Sequence, residues 1–138
     1  MPSAADLLGD RRRVLVTGGA GFIGGAVVRR LLRESTVTVF NLDKMGYASD
    51  LSSIEEVLSD LGDAANGRHR LQQVDLTDAA AVEAAVQEAD PDLVMHLAAE
   101  SHVDRSISGP GAFIESNVNG TYNLLQACLL YTSPSPRD

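Results

Sequence analysis

The run Val14-Leu15-Val16-Thr17-Gly18-Gly19-Ala20-Gly21-Phe22-Ile23-Gly24 leaves this chain few folds to choose from. Three apolar residues, two of them β-branched, enter a glycine-rich turn, and an apolar, helix-forming stretch follows at once from Ala26 to Leu32. That is a buried strand, a tight turn and a helix start. In such a turn one glycine allows a sharp reversal, one lets a pyrophosphate approach the backbone, and one lets helix and strand pack closely. The free N–H groups of the first helical turn then face an anion. Two registers fit: Gly19, Gly21 and Gly24 as G-x-G-x-x-G, or Gly18, Gly21 and Gly24 as G-x-x-G-x-x-G. Because the turn lies between a strand and a helix near the N-terminus, the pattern points to a dinucleotide.

The rest of the chain continues the alternation. Strand 1 is expected at Val14 to Thr17, helix 1 at Phe22 to Arg33, and strand 2 at Val37 to Leu42. Asp50 to Leu61 reads as a helix with Leu51, Ile54, Val57, Leu58 and Leu61 on one face. Strand 3 is expected at Arg70 to Val74. Thr77 is placed to cap a helix from Asp78 to Glu88 whose Val82 and Val86 face inward. Strand 4 is expected at Leu93 to Leu97. A last helix, about Ala112 to Ala127, carries Phe113, Ile114, Asn117, Val118, Thr121, Leu124 and Leu125 on one stripe. Strands alternating with helices argue an α/β fold, a Rossmann-type doubly wound parallel sheet. The expected strand order is 3-2-1-4, with ligands at the switch point beyond the carboxyl ends of strands 1 and 4.

Length and composition fit one such domain: 138 residues, 44% hydrophobic and 22% charged. The net charge of −8 comes from 19 acids against 11 bases. Arg11-Arg12-Arg13 reads as a solvated lead-in to strand 1, so no nucleic acid is expected as a partner. Cys128 is the single cysteine, which excludes a disulfide framework and a multi-cysteine metal site. The N-terminus lacks an apolar signal core and no run approaches transmembrane length. No membrane partner is expected, and the protein reads as cytoplasmic. Residues 1–11 read as a flexible lead.

Several side chains fall where a dinucleotide would need them. Asp43 ends strand 2, 19 residues after Gly24, where a carboxylate accepts from the adenine ribose hydroxyls. A turn aspartate is the plainer alternative. An acid there repels a 2′-phosphate and so favours NAD over NADP, although Lys44 could neutralise a phosphate. Asp75-Leu76 ends strand 3 on the same edge; the carboxylate serves either an adenine amino group or a helix start before Thr77. Leu97-Ala98-Ala99-Glu100-Ser101 leaves strand 4 at the switch point, where small residues let a cofactor lie against the backbone. His102 and Asp104 admit acid–base chemistry. The nearest further histidine, His96, lies inside strand 4, and no metal site is assigned. Ser116 and Asn117 interrupt an apolar helix, either as satisfied buried groups or as contacts to a cofactor or active-site water.

Three stretches carry a resemblance: Thr-Gly-Gly-Ala-Gly-Phe-Ile-Gly (17–24), Asn-Leu-Asp-Lys (41–44) and His-Leu-Ala-Ala-Glu-Ser-His-Val-Asp-Arg-Ser-Ile (96–107). They resemble the extended short-chain dehydrogenase/reductases. Continued by Gly109-Pro110, Phe113-Ile114-Glu115-Ser116-Asn117-Val118 and Gly120-Thr121, the last stretch is similar to the dTDP-glucose 4,6-dehydratases and the related plant-type UDP-glucose dehydratases. The likeness covers about residues 12 to 127, read as part of an NAD-binding Rossmann domain.

The resemblance implies an NAD site. Gly18, Gly21 and Gly24 form its turn, and Phe22 and Ile23 cover the pyrophosphate. Asp43, Lys44, Met45 and Gly46 with Asp75 and Leu76 hold the adenosine half. Leu97, Ala98, Ala99, Glu100 and Ser101 line the nicotinamide side. Ser101 also touches the sugar nucleotide, and Ser116 lies near the cofactor. The sequence departs at Met45-Gly46-Tyr47-Ala48-Ser49-Asp50, where the family more often reads Leu-Thr-Tyr-Ala-Gly-Asn; Gly46 offers no side-chain contact.

The implied activity is an NAD-dependent lyase reaction on a nucleotide sugar, dTDP-glucose to its 4-keto-6-deoxy product plus water, in a homodimer. Alternatives are another NAD-dependent epimerase, decarboxylase or dehydratase of the superfamily, or a non-catalytic NAD-binding regulator. The family's catalytic Thr-Asp-Glu triplet and Tyr-x-x-x-Lys pair are absent, and Lys44 is the only lysine. Relatives are more than twice as long, so this chain by itself is expected to be inactive, with no catalytic residue assigned. Residues 128–138 do not resemble the family and look like a translated sequencing adapter.

Overall fold

The computed structural model describes residues 3–46, 49–98 and 120–129. These residues fall into two compact units, one formed by residues 3–73 and 89–98, the other by 74–88 with 120–129.

The first unit holds the sheet. Its elements are α1 (Ala4–Leu8), β1 (Arg13–Thr17), α2 (Phe22–Glu34), β2 (Thr38–Leu42), α3 (Ser52–Leu61), a 3-10 turn (Gly62–Ala65), β3 (His69–Gln72) and β4 (Leu93–His96). The four strands are parallel in the order β3-β2-β1-β4, as the alternation predicts. β1 is central, and Val14, Leu15, Val16 and Thr17 are completely buried. A strand covered on both faces needs a continuous apolar run, which explains why its sequence does not alternate. Register aligns the carboxyl ends in one row: Thr17 pairs with Leu42 and with His96, and Leu42 pairs with Gln72.

One face of the sheet carries the core. Val14, Val16 and Val39 pack with Val28, Leu31 and Leu32 of α2 and with Ile54 and Val57 of α3. The apolar stripe expected on α3 is there, since Leu51, Leu58 and Leu61 border the same cluster. Arg68 fixes the far end of this layer. Its guanidinium donates to the carbonyls of Leu32, Ser35 and Val37, which places a positive charge at the carboxyl end of α2. Burial lowers the pKa of Arg68.

The beginning of the chain departs from expectation. The lead is helical at α1, and Ser3 and Asp6 form a reciprocal capping box. Ala4 and Leu8 are buried in the core cluster, and the Ala4 N–H donates to Glu34 at 2.9 Å. Two buried apolar positions, Ala4 and Leu8, and a local cap are enough to dock five residues that composition alone marks as loose.

α4 (Ala79–Ala89), which belongs to the second unit as far as Glu88, buries Val82 and Val86 as expected. Its cap is Asp78, whose Oδ1 accepts from the Ala81 N–H at 3.1 Å. The expected cap, Thr77, instead donates through both its N–H and its hydroxyl to Asp75. Residues 120–129 are helical, two residues beyond the helix end expected at Ala127. Gly120, Leu124 and Ala127 are buried, whereas Leu125 is exposed. Leu124 and Leu125 therefore do not share the stripe the sequence suggested: neighbours stand about 100° apart around a helix of 3.6 residues per turn. Phe113, Ile114, Asn117 and Val118 lie outside the described residues.

Candidate functional site: a glycine turn beside a carboxylate

The candidate site begins where β1 ends. Gly18 takes a left-handed φ of +75°, and its N–H continues the ladder to the Leu42 carbonyl at 2.8 Å. A Cβ on Gly18 would lie 2.7 Å from Ala98 Cα, so the turn runs directly against the residue leaving β4. A Cβ on Gly24 would overlap the Gly18 carbonyl, with Gly18 C only 2.6 Å away. Strand and helix can approach this closely only with hydrogen at both positions. Gly19 has its own requirement, because a Cβ there would run into the Asn41 amide. Both registers open at the sequence level thus carry a steric reason, and they share Gly21 and Gly24.

Gly21 is the N-cap of α2 and provides no side-chain hydrogen bond to the helix. The first intrahelical bond at this end is Gly25 N–H to Gly21 O at 2.8 Å. That leaves the N–H groups of Phe22, Ile23 and Gly24 directed out of the first turn, which holds no acidic residue. The helix dipole adds to them, so this end of α2 suits an anion. Phe22, 94% exposed, and Ile23, 66% exposed, stand at the same turn as apolar cover.

Asp43 follows β2 in the next row. Its carboxylate is buried and engaged: Oδ2 accepts from the Ala20 N–H at 3.0 Å, and Oδ1 accepts from the Met45 N–H at 2.7 Å and the Ser49 hydroxyl at 3.0 Å. Asp50 N–H returns to the Ala20 carbonyl at 2.9 Å. The glycine turn and the segment after β2 are therefore laced together through Ala20. Met45 sits at a φ of +61°, held there by its bond to Asp43. The sequence marks Asp43 but gives no sign that it ties two loops, nor that Ala20 and Ser49 are its partners. Lys44 and Gly46 lie on the same segment.

Thr17 closes the other side. Its hydroxyl accepts from the Leu97 N–H at 3.0 Å and the Ala98 N–H at 3.1 Å, and lies 2.6 Å from His96 Nδ1. With both lone pairs taken, the hydroxyl proton points at His96, which must then accept through Nδ1. Burial lowers the His96 pKa, in agreement with a neutral ring. Leu97 and Ala98 are fixed against Gly18 by this hydroxyl.

The first unit therefore gathers Gly18, Gly21, Phe22, Ile23, Gly24, Asp43, Lys44, Met45, Gly46, Leu97 and Ala98 at one edge of the sheet. Asp75 and Leu76 belong to the second unit. There Asp75 Oδ1 makes a turn with Thr77, and Asn123 donates to the Leu76 carbonyl at 2.8 Å. Ala99, Glu100, Ser101 and Ser116, with His102 and Asp104, lie outside the described residues. Among the described residues no group of three or more His, Cys, Asp or Glu could hold a metal ion.

The model of one protein family, described as GDP-mannose 4,6 dehydratase, matches residues 15–136. This chain belongs to that family. The match of this family member extends past residue 127, where the resemblance read from the sequence stops. Over 127 residues the family member is 49% identical to the dTDP-glucose 4,6-dehydratase of Neisseria meningitidis serogroup B, covering 92% of this chain and 34% of that relative. Among solved structures it resembles the dTDP-glucose 4,6-dehydratase of Streptomyces venezuelae with NAD bound, at 40% identity and a TM-score of 0.70, over 86% of this chain and 36% of that one. It also resembles the UDP-glucose 4-epimerase of Thermus thermophilus in complex with NAD, at 36% identity and a TM-score of 0.68, over 86% and 34%. The chain spans about a third of the length of the relatives it matches.

Proposed function

We propose that this chain is the NAD-binding part of a dTDP-glucose 4,6-dehydratase. The observation that carries the NAD reading is the pairing of the open first turn of α2, packed against β1 through Gly18 and Gly24, with a carboxylate at the end of β2. The residues present fit the group: N–H donors at Phe22, Ile23 and Gly24 suit a pyrophosphate, and Asp43 suits a ribose diol. Gly18, Gly21, Phe22, Ile23 and Gly24 would hold the pyrophosphate. Asp43 to Gly46 would hold the adenosine half, with Asp75 and Leu76, and Leu97 to Ser101 and Ser116 would lie toward the nicotinamide. NAD, when bound, supplies the hydride acceptor and donor for removing water from the sugar. Ser101 is the residue of this chain proposed to touch the sugar nucleotide.

The dTDP-glucose reading rests on the relatives' names and on residues 96–107, the homodimer reading on family resemblance, and the cytoplasmic reading on the sequence itself. A second reading, a nucleotide-sugar 4-epimerase, has one observation in its favour: epimerases with NAD bound share this fold at similar TM-scores. No helix among the described residues is long and apolar enough to cross a membrane.

The test is titration with NAD and NADP. A hydrogen bond to a charged group contributes about 1.5–3 kcal/mol, so Asp43→Ala should weaken NAD about ten- to a hundredfold. NADP should bind the unchanged chain more weakly than NAD. Equal or tighter NADP binding sinks the assignment.

A further inference from the structure

We infer that Ser49 is a latch on the ribose-binding carboxylate, one that the dinucleotide must displace. The inference deepens the NAD reading and rests on it. A carboxylate offers about four acceptor positions, two on each oxygen. Three of those on Asp43 are taken: Oδ2 by Ala20 N–H, and Oδ1 by both Met45 N–H and the Ser49 hydroxyl. One position is left, on Oδ2. A ribose with vicinal hydroxyls donates twice, and the two oxygens of one carboxylate receive it best with a vacant position on each. Oδ1 has none, so one of its two donors must leave.

The two donors are not equally free to do so. Met45 N–H belongs to the backbone of a residue held at a φ of +61°, and withdrawing it would remake the segment. Ala20, on the other oxygen, is fixed from both sides, since its carbonyl also receives the Asp50 N–H. The Ser49 hydroxyl is a side-chain rotor on a half-buried residue, and a single χ1 change releases it. The Ser49 side chain holds a position on the carboxylate that a ribose hydroxyl would take. Ser49 is therefore a positioning residue that weakens nucleotide binding by competing with the ribose.

The test compares NAD affinities of the unchanged chain with Ser49→Ala, Asp43→Ala and the double variant, with far-ultraviolet circular dichroism to check the fold. Removing a competing hydrogen bond of ordinary net strength should tighten NAD about three- to tenfold in Ser49→Ala. AMP, which carries the same ribose, should follow NAD. In the Asp43→Ala background the Ser49 substitution should change nothing, a readout that general loosening of the loop would not reproduce. Ser49→Gly should act in the same direction and replaces Ser49→Ala if the latter misfolds. If Ser49→Ala binds NAD equally or more weakly while Asp43→Ala still loses affinity, the latch is wrong and the NAD site stands. If Asp43→Ala keeps full NAD affinity, both fall.

Discussion

Replacing Thr17 with valine tests how the carboxyl end of β4 is held beside the glycine turn. Valine matches threonine in shape but has no hydroxyl. Three interactions end: those to Leu97 N–H, Ala98 N–H and His96 Nδ1. Leu97 keeps an acceptor, because its N–H also reaches the Thr17 carbonyl at 3.1 Å. Ala98 N–H and His96 Nδ1 lose the hydroxyl outright. Losing a hydrogen bond at a buried group costs about 1–3 kcal/mol. Both residues are half-buried, so water recovers part of that and the lower end applies to each, about 2 kcal/mol together. The added methyl recovers little, since the site is completely enclosed and already filled. Urea unfolding of the chain followed by circular dichroism should show this loss in Thr17→Val. Thr17→Ser, which keeps the oxygen, should lose less than half as much. NAD affinity should fall in the valine variant only, because Leu97 and Ala98 are no longer fixed against Gly18. A valine variant as stable as the unchanged chain, or a serine variant as damaged as valine, would refute the assignment of the hydroxyl as the anchor of the carboxyl end of β4.

Gly24→Ala forces a Cβ into the Gly18 backbone and should cost about 1–3 kcal/mol while abolishing measurable NAD binding. The neighbouring Gly25→Ala meets only ordinary contacts, at 3.5 Å, and as a helical glycine should stabilise by about 0.5–1 kcal/mol; thermal melting and NAD titration of the pair check both signs. Burial lowers the pKa of His69 and of His96 below the ordinary 6.5. The unfolded chain therefore binds more protons as pH falls through 6.5, and stability present above that pH is lost below it, by at most about 1.4 kcal/mol per unit for each ring. Urea midpoints at pH 7.5 and 5.5 should show the fall, and His96→Gln should shrink it; a midpoint that rises on acidification contradicts the burial of the two rings.

What the sequence reveals and what it hides follow from the range of the interactions. Strand order, the glycine turn and the inward faces of α3 and α4 were legible because each is written in local spacing: an apolar run, a period of 3.6, a glycine at a forced left-handed φ. Asp43 was legible for the same reason, as a carboxylate at a fixed distance from the turn. Its partners were not. Ala20 N–H and Ser49 reach it across 23 and 6 residues, and nothing in the composition of an alanine or a loop serine announces a bond that exists only when two loops meet. The hydroxyl of Thr17 reaches Ala98 across 81 residues. Asn41 and His69, 28 residues apart and 3.2 Å from each other beneath Gly19, escaped for the same reason. The cap of α4 failed on a smaller scale: Thr77 and Asp78 are both good caps, and the choice went to Asp78 because Asp75 had already claimed Thr77. In this chain the sequence pattern selects which residues stand at the candidate site, and long-range hydrogen bonds decide how many of their acceptor positions would remain open to a ligand. That second quantity sets affinity, and for Asp43 it is one position out of about four.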